Sequence, residues 1–372
     1  MINRSEPMIA ENELKESLVA TTPVASTILL KKKSRSAPSL WKSVILPAVE
    51  AELAEVQAVI QTATRCRSSE INELYETTAP SGGKKLRPTL AILAHKASLV
   101  GRPPAHSRIR NDDLLYSAAA VELVHMASLV HDDVMDSADV RQHRPTVAKV
   151  AGGASAVLLG DYLFTRAYDL AARCRSPFAA RCIAKAAAAL CEGELLQQRT
   201  AGNWAMKATQ YRRVLALKTG ALCAAACRLG AWSAGIETLK RKALTQYGMK
   251  LGIAFQVFDD WLDYWGEECV GKTLGTDLAQ CKPTLPTIRL LAQLRGSARR
   301  EVLAELKSPT RDSLQHFRWI RSQLDSTDAS NYTRAKAVAL AENSVRTLQA
   351  IEESEYLRKL SDIANFSVAR HV

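Results

Sequence analysis

The chain has 372 residues and a formal net charge of +12, a length that suits two average domains or one large helical bundle. The basic charge raises the question of a nucleic-acid partner, but no zinc-finger, RNA-recognition or glycine-loop signature accompanies it, so we expect none. No uninterrupted apolar run reaches the length of a membrane-spanning helix, so we expect a soluble protein.

Residues 1–40 differ in composition from the rest of the chain. They are rich in Ser, Thr and Pro, include the basic run Lys31–Arg35 and lack an amphipathic pattern, which predicts a disordered extension. Four glutamates between residues 6 and 16 argue against an organellar transit peptide, and a secretory signal needs a longer apolar core. We therefore expect a cytoplasmic protein, with an organelle as the alternative, and a folded domain over residues 41–372.

The folded part is dominated by Ala-rich and Leu-rich segments whose apolar residues recur at helical spacing, most clearly over residues 113–131, 182–199, 210–230 and 241–263. Valine-rich alternating runs of strand length are scarce. This predicts an all-α fold, a single large helical bundle with little or no sheet. The eight cysteines form no CxxC pair and no zinc-type spacing with histidine, which indicates buried, reduced thiols.

The first chemically informative segment is the basic turn GGKKLRP at residues 82–88. Its two glycines allow a tight turn, and Lys84 and Arg87 then stand three residues apart at the start of a helix. Two cations beside a helix N-terminus predict an anion site.

Two acidic clusters of the same form follow, DDVMD at residues 132–136 and DDWLD at residues 259–263. In each, the first and last Asp are four residues apart, so both carboxylates leave one helix face. A solvated acidic face is the usual explanation of such spacing. Here, however, the apolar runs 129–131 and 253–258 enter the clusters and place the carboxylates at the mouth of a buried region. Two such acidic clusters facing each other would hold Mg²⁺ with a diphosphate, because Mg²⁺ is usually bound by carboxylates and substrate phosphates together.

His125 lies seven residues before Asp132, so the two side chains share one helix face two turns apart. After the first acidic cluster comes a cationic loop that contains Arg141 and Arg144.

Taken together, these segments resemble the trans-isoprenyl (all-trans-polyprenyl) diphosphate synthases, in particular the medium- and long-chain heptaprenyl, octaprenyl and solanesyl type. The resemblance runs from about residue 41 to the C-terminus. The matching segments, in chain order, are GGKKLRP, HDDVMD with its Arg loop, Gly160–Phe164, Lys218-Thr219, FQVFDDWLDY, Gly271-Lys272, Asp277-Leu278 and Lys282–Pro286.

The resemblance implies an isoprenoid-synthase helical bundle with a central cavity, assembled as a homodimer. Such an enzyme joins isopentenyl diphosphate to an allylic diphosphate, here farnesyl or geranylgeranyl diphosphate. The allylic carbon–oxygen bond ionises, the double bond of isopentenyl diphosphate attacks the cation, and a proton is lost, so no side chain has to act as a nucleophile.

Residue roles carry over from the same resemblance. Three Mg²⁺ ions would be held by Asp132, Asp133, Asp136, Asp259, Asp260 and Asp263. The residues that would bind the leaving diphosphate are Lys218, Thr219, Gln256, Lys272 and Lys282. Those that would bind isopentenyl diphosphate are Lys84, Arg87 and His125, with Arg141 as a further substrate-binding residue. The residues counted as catalytic are Asp132, Asp136, Lys218, Asp259 and Lys272.

Two positions depart from the family pattern. Gln142 stands where a second arginine is common, which predicts weaker substrate binding unless Arg144 or Lys85 compensates. Cys281 stands where glycine is frequent, and the thiol is tolerated only if the backbone φ there is negative.

Product length in the family depends on a floor residue five positions before the first Asp, which here is Ala127, with Ser128 beside it and Val124 one turn lower. No aromatic side chain blocks this level, so we expect a long product of the kind used for quinone side chains. Release of such a product would bring the enzyme close to a membrane surface. A geranylgeranyl-length synthase and a weakly active subunit of a heteromeric synthase are the alternatives.

Overall fold

The computed structural model describes residues 41–78, 84–101, 111–141, 144–266 and 274–369. The chain divides into Met1–Ser36, which lies outside the described residues, and a compact unit, Ala37–Val372, which contains all described elements. The predicted disorder of residues 1–40 therefore stays a prediction.

Helices make up nearly all of the described chain. A π-helical turn at Trp41–Ile45 and a 3₁₀ turn at Leu46–Ala48 come first. The α-helices are α1 Glu50–Thr64, α2 Ser69–Thr78, α3 Leu86–Leu99, α4 Asn111–Met135, α5 Val147–Ala151, α6 Gly153–Arg173, α7 Pro177–Thr200, α8 Ala208–Leu215, α9 Ala221–Ser233, α10 Thr238–Trp265, α11 Thr276–Ala279, α12 Leu285–Gln293, α13 Gly296–Lys307, α14 Ser313–Asp325, α15 Ala329–Thr347 and α16 Glu355–Ser367. A π-helical turn, Ala216–Gly220, joins α8 to α9, and a 3₁₀ turn, Leu348–Ala350, follows α15.

The all-α prediction is confirmed. The four stretches with helical periodicity correspond to α4, α7, the continuous run from α8 to α9, and α10. Strand structure among the described residues is limited to β1 Val140–Arg141 and β2 Arg144–Pro145, which pair antiparallel after α4. Alanine and leucine are strong helix formers, and their apolar stripes give each helix a face to bury.

Two long helices form the centre of the bundle. α4 packs against α3, α6 and α9, while α10 packs against α9 and α15. Both end in an acidic cluster, because α4 ends at Met135 and α10 at Trp265. The bundle therefore carries the two clusters on the last turns of its central helices.

A second apolar cluster lies beyond the end of α10. Tyr264, Leu278, Leu290 and Ile320 are among its buried members, so it joins α10 to α11, α12 and α14. This packing holds the segment that follows the second acidic cluster against the bundle.

By length and composition alone, two described segments could cross a membrane: Asp112–Met135 and Ala208–Ser233. Neither segment is detected when the sequence is searched for a single uninterrupted apolar run. Of their most apolar windows, 78% and 83% are buried inside the protein, so these segments are the core of the bundle.

Candidate active site

A cavity of about 780 Å³ is bounded mainly by α3, α4, α10 and α16 and by the turn between α8 and α9. The sequence-predicted residues that line it are Lys84, Arg87, His125, Ser128, Asp132, Asp133, Arg141, Lys218, Thr219, Gln256 and Asp259. Residues of both acidic clusters and of the basic turn, far apart in the chain, thus share one cavity.

One face of α4 forms a wall of this cavity. His125, Ser128 and Asp132 all line it, in agreement with their spacing of three, four and seven residues. Asp132 lies in the last turn of α4, where the negative end of the helix macrodipole disfavours a carboxylate. Asp259 lies near the equivalent end of α10. Cationic groups must therefore compensate both carboxylates.

The first cluster already meets such groups. Burial raises the pKa of Asp132 to about 6, although the nearby Lys218 ammonium opposes this. Arg141 Nε donates to Asp133 Oδ1 at 2.6 Å, and Lys282 Nζ donates to Asp136 Oδ1 at 3.3 Å. Asp136 is exposed and lies outside the cavity lining.

In the second cluster, Asp260 is buried in a hydrogen-bond chain. Tyr211 Oη donates to Asp260 Oδ2 at 2.5 Å, and Gln256 Nε2 donates to Asp260 Oδ1 at 3.0 Å. Thr219 Oγ1 donates in turn to Gln256 Oε1 at 3.1 Å. Burial raises the pKa of Asp260, while these two donors oppose the rise. The chain fixes Gln256 and Thr219 at the cavity wall.

The Asp263 carboxylate is engaged by the segment that follows α10, and its role as a metal ligand stays a prediction. Its carboxylate accepts hydrogen bonds from Thr276 N at 3.1 Å, Thr276 Oγ1 at 2.6 Å and Asp277 N at 3.1 Å. It is buried and lies outside the cavity lining. Asp263 therefore anchors the start of α11 and, through it, the segment that leads to Lys282.

Lys218 and Thr219 lie on the π-helical turn Ala216–Gly220, and such turns are frequent at functional sites. Lys218 Nζ lies 2.5 Å from Glu194 Oε2 and donates to Gln197 Oε1 at 2.7 Å. Burial by itself would lower the pKa of Lys218, but the charges of Asp132 and Glu194 outweigh it and the pKa is raised. Lys218 is therefore an ammonium at neutral pH.

Sequence reasoning missed Glu194 and Gln197. Together with Leu190 they form an i, i+4, i+7 stripe along one face of α7. Two polar side chains on an otherwise apolar stripe were the available signal, but the stripe alone does not reveal what they face.

A second group of cations lies at the start of α3. Lys85, with φ +42°, precedes the helix, and Arg87 follows one residue after it begins. Arg87 Nε is buried and finds no hydrogen-bond partner among the described residues. Lys84 Nζ lies 4.4 Å from the centroid of the Phe366 ring. A buried guanidinium N–H beside further cations suits an anionic ligand.

The half-buried His125 and the buried Glu122 complete this part of the cavity. Burial, together with the charges of Arg87 and Arg141, lowers the pKa of His125 well below its usual value, so His125 is neutral at pH 7. Burial also raises the pKa of Glu122, while Arg87 and Lys85 oppose the rise. His125 can therefore donate one hydrogen bond but adds no charge.

The residues Gly82, Gly83, Gln142, Gly271 and Lys272 lie outside the described residues, so their roles stay predictions.

Both residues expected to compensate for Gln142 line the cavity. Arg144 donates to the backbone oxygen of Glu76 at 3.1 Å, and Lys85 contacts Gln57.

Of the three residues expected to form the floor of the cavity, one lines it and two do not. Ser128 lines the cavity, whereas Val124 and Ala127 are fully buried and lie outside its lining. Ala127 is rotated by about 100° from Ser128 on the helix, away from the face shared with Asp132. Cys223, one of the cysteines expected to be buried, lines the cavity one turn beyond Thr219.

The backbone φ at Cys281 is positive, although the thiol there is tolerated only if φ is negative. Its φ is +52°, in the left-handed region that favours glycine. The thiol is therefore held in a strained conformation next to Lys282.

The donor set of the cavity fits a hard divalent cation. Asp132, Asp133 and Asp259 supply carboxylate oxygens to one space, and Mg²⁺ is usually bound by one or two carboxylates together with substrate phosphates and water. Within the described ranges, no group of three or more His, Cys, Asp or Glu side chains is arranged to hold a metal ion.

Comparisons with known proteins agree with this arrangement. The family model described as Polyprenyl synthetase matches residues 68–323. The octaprenyl diphosphate synthase of Haemophilus influenzae is 35% identical over 81% of this chain and 88% of its own length. Heptaprenyl diphosphate synthase component 2 of Geobacillus stearothermophilus is 32% identical over 84% of this chain and 94% of its own.

A solved structure is similar over nearly the whole chain. The polyprenyl synthase of Caulobacter crescentus CB15, complexed with calcium and isoprenyl diphosphate, has a TM-score of 0.82 and 32% identity. The match covers 92% of this chain and 100% of that one.

Proposed function

This chain belongs to the polyprenyl synthetase family and is a divalent-metal-dependent prenyltransferase, and from that premise we propose that it lengthens an allylic diphosphate with isopentenyl diphosphate. One observation carries the proposal: a single cavity is lined by acidic residues from the ends of α4 and α10 and by cations from the start of α3. The acidic region suits a metal-bound diphosphate and the cationic region suits a second one.

We propose Mg²⁺ as the metal, bound jointly by the substrate diphosphate and by single carboxylates among Asp132, Asp133 and Asp259, with Asp136 close to the same region. When bound, it neutralises the negative charge that develops on the leaving diphosphate. Asp260 and Asp263 act through their hydrogen bonds, the first on Gln256 and the second on α11.

The cations around the acidic region bind the same leaving group. Lys218 lines the cavity beside Asp132, and Lys282 contacts Asp136. Thr219 and Gln256 add polar contacts. As the allylic carbon–oxygen bond breaks, its electron pair stays with the diphosphate oxygen, and these fixed donors stabilise that charge without having to reorganise.

The second diphosphate, that of isopentenyl diphosphate, binds to Arg87, Lys84 and neutral His125. Arg87 supplies the buried N–H that has no partner among the described residues. The double bond then attacks the allylic cation and a proton is lost to the diphosphate. Apolar side chains such as Leu129, Leu190 and Phe255 line the cavity and exclude water, which would otherwise quench the cation.

We further propose a long all-trans product of the kind used for quinone side chains. Ser128, the expected floor residue that lines the cavity, is not aromatic, and the similar octaprenyl diphosphate synthase supports the same assignment. A geranylgeranyl-length product is the alternative.

We also propose that the enzyme is a homodimer. Neighbouring helices α6 and α7 expose apolar side chains on their outer faces, with Leu158 68% and Leu195 61% exposed. The exposed apolar residues of α7 recur at helical spacing: Ala184, Ala188, Cys191 and Leu195. Exposed apolar stripes of this kind are typical of protein interfaces.

The test is to incubate the purified chain with Mg²⁺, labelled isopentenyl diphosphate and either farnesyl or geranylgeranyl diphosphate, and to separate the dephosphorylated products by length. We expect a ladder that ends at one long polyprenol. Asp132→Asn should lower the rate at least a hundredfold, about the effect of removing one transition-state charge contact.

Asp169→Asn, which alters an exposed carboxylate paired with Arg173 on α6, is the control and should keep the wild-type rate. Equal rates for the two variants would contradict the proposed site. Absence of elongation with either primer would instead indicate a subunit that needs a partner, the role suggested by the name of the component 2 relative.

A further inference from the structure

Glu194 occupies an unusual position for a carboxylate. It lies on α7 among apolar residues and is only 8% exposed, and its Oε2 is 2.5 Å from Lys218 Nζ. Burying a charge is costly unless it is paired. Glu194 therefore depends on Lys218, and the pair joins α7 to the turn that carries Lys218.

Glu194 has no direct access to substrate. Lys218 lines the cavity, whereas Glu194 lies outside its lining. Gln197, one turn further along α7, accepts a hydrogen bond from Lys218 Nζ at 2.7 Å, in addition to the ion pair with Glu194. Two acceptors on one rigid helix thus hold the end of a flexible lysine side chain at the cavity wall.

We infer that Glu194 is a positioning residue for prenyl transfer: its carboxylate, with Gln197, fixes the Lys218 ammonium in the orientation that meets the leaving diphosphate. This inference rests on the proposed function and extends it to a residue of α7. A lysine has several freely rotating bonds, and the entropy of ordering them is lost before the reaction when Glu194 holds the ammonium.

The negative charge of Glu194 also has a predictable effect on binding. It partly cancels the attraction between Lys218 and an anionic diphosphate, because opposite charges close to each other compensate. Loss of the carboxylate should therefore strengthen ground-state binding of diphosphate while weakening catalysis. A defect that merely distorts the site would weaken both.

The experiment compares Glu194→Gln with Glu192→Gln. Glu192 lies on the same helix but is exposed and pairs with Arg213 at 2.9 Å, so it is a matched control. For Glu194→Gln we expect the single-turnover rate of the first condensation to fall about tenfold to a hundredfold, as for the loss of a buried charge-assisted contact. The control should behave as the wild type.

Binding of pyrophosphate with Mg²⁺, measured by calorimetry, is the readout that does not need activity. We expect Glu194→Gln to bind about threefold to tenfold more tightly than the wild type. In a Lys218→Met background this gain should become clearly smaller, because the inferred effect of Glu194 passes mainly through Lys218.

A wild-type condensation rate for Glu194→Gln would overturn the inference, and so would an equal binding gain with and without Lys218. If Glu194→Gln does not fold, Glu194→Asp replaces it, with a smaller loss of rate and unchanged pyrophosphate affinity expected; a wild-type rate would then reject the inference. If the wild-type chain transfers no prenyl group, the proposed function fails, and the binding cycle still decides the role of Glu194.

Discussion

Cys281 shows how a single backbone angle decides the effect of a substitution. Its φ of +52° lies where a side chain crowds the backbone and glycine does not. Its amide donates to Leu278 O, and its carbonyl accepts from Gly202 N, so the surrounding turn holds this conformation in place. The strain lies directly before Lys282, whose ammonium reaches Asp136.

We predict opposite effects for two replacements at this position. Cys281→Gly removes the strain, whereas Cys281→Val, which is β-branched, increases it. The free energy of unfolding of Cys281→Gly should exceed that of Cys281→Val by about 1–2 kcal/mol, the usual penalty for a side chain in the left-handed region. Urea denaturation of both variants measures the difference, and equal stabilities would mean that the turn relaxes freely.

For some of the acidic residues the sequence predicts which side chains lie beside them, and for others it does not. Spacing along α4 was enough to put His125 and Asp132 on one wall, because a helix fixes which residues share a face. The contacts of Asp263 with α11 were not accessible in this way, because both partners depend on the chain turning back after α10.

At the scale of elements, the close approach of α7 to the π-helical turn determines where Lys218 lies. A Cβ on Gly193 would lie 2.6 Å from the backbone nitrogen of Lys218 and 3.0 Å from the carbonyl carbon of Leu217. Such distances to backbone atoms cannot be relieved by a side-chain rotation. Glycine is therefore required at this contact, next to Glu194.

We predict that Gly193→Ala displaces the turn and lowers the prenyl-transfer rate about tenfold to a hundredfold, because small displacements of catalytic groups are costly. Gly153→Ala, at the start of α6, is the control, since its Cβ would meet only Val134 Cγ1 at 3.7 Å, an ordinary contact. Single-turnover kinetics and thermal denaturation of both variants provide the comparison. Wild-type kinetics for Gly193→Ala would show that the two elements can separate without harm.

At the scale of the whole molecule, the apolar faces of α6 and α7 bear on assembly. We predict that Leu195→Asp converts a dimer into a monomer, because a charge buried in an apolar interface without a partner is strongly unfavourable. Light scattering coupled to size exclusion measures the mass. Leu239→Asp, at a leucine near the start of α10 that is more exposed than Leu195, should leave the mass unchanged.

A wild-type mass for Leu195→Asp would place any interface elsewhere on the surface. If the wild-type chain is itself monomeric, the homodimer proposal fails, and the exposed stripe of α7 becomes a candidate contact for a different subunit.

The sequence by itself determined the helical class, the two acidic clusters and the basic turn. Each depends on spacing within one segment, and helical geometry turns such spacing into a shared face. It also identified Lys218 and Lys282 through the resemblance, although not their contacts.

Only the tertiary structure decided which segments meet. It brought Lys282 to Asp136 across 146 residues of sequence and placed Glu194 behind Lys218. It also set the positive φ of Cys281. These features depend on how separate helices pack, and packing is a property of the whole core that no local pattern encodes.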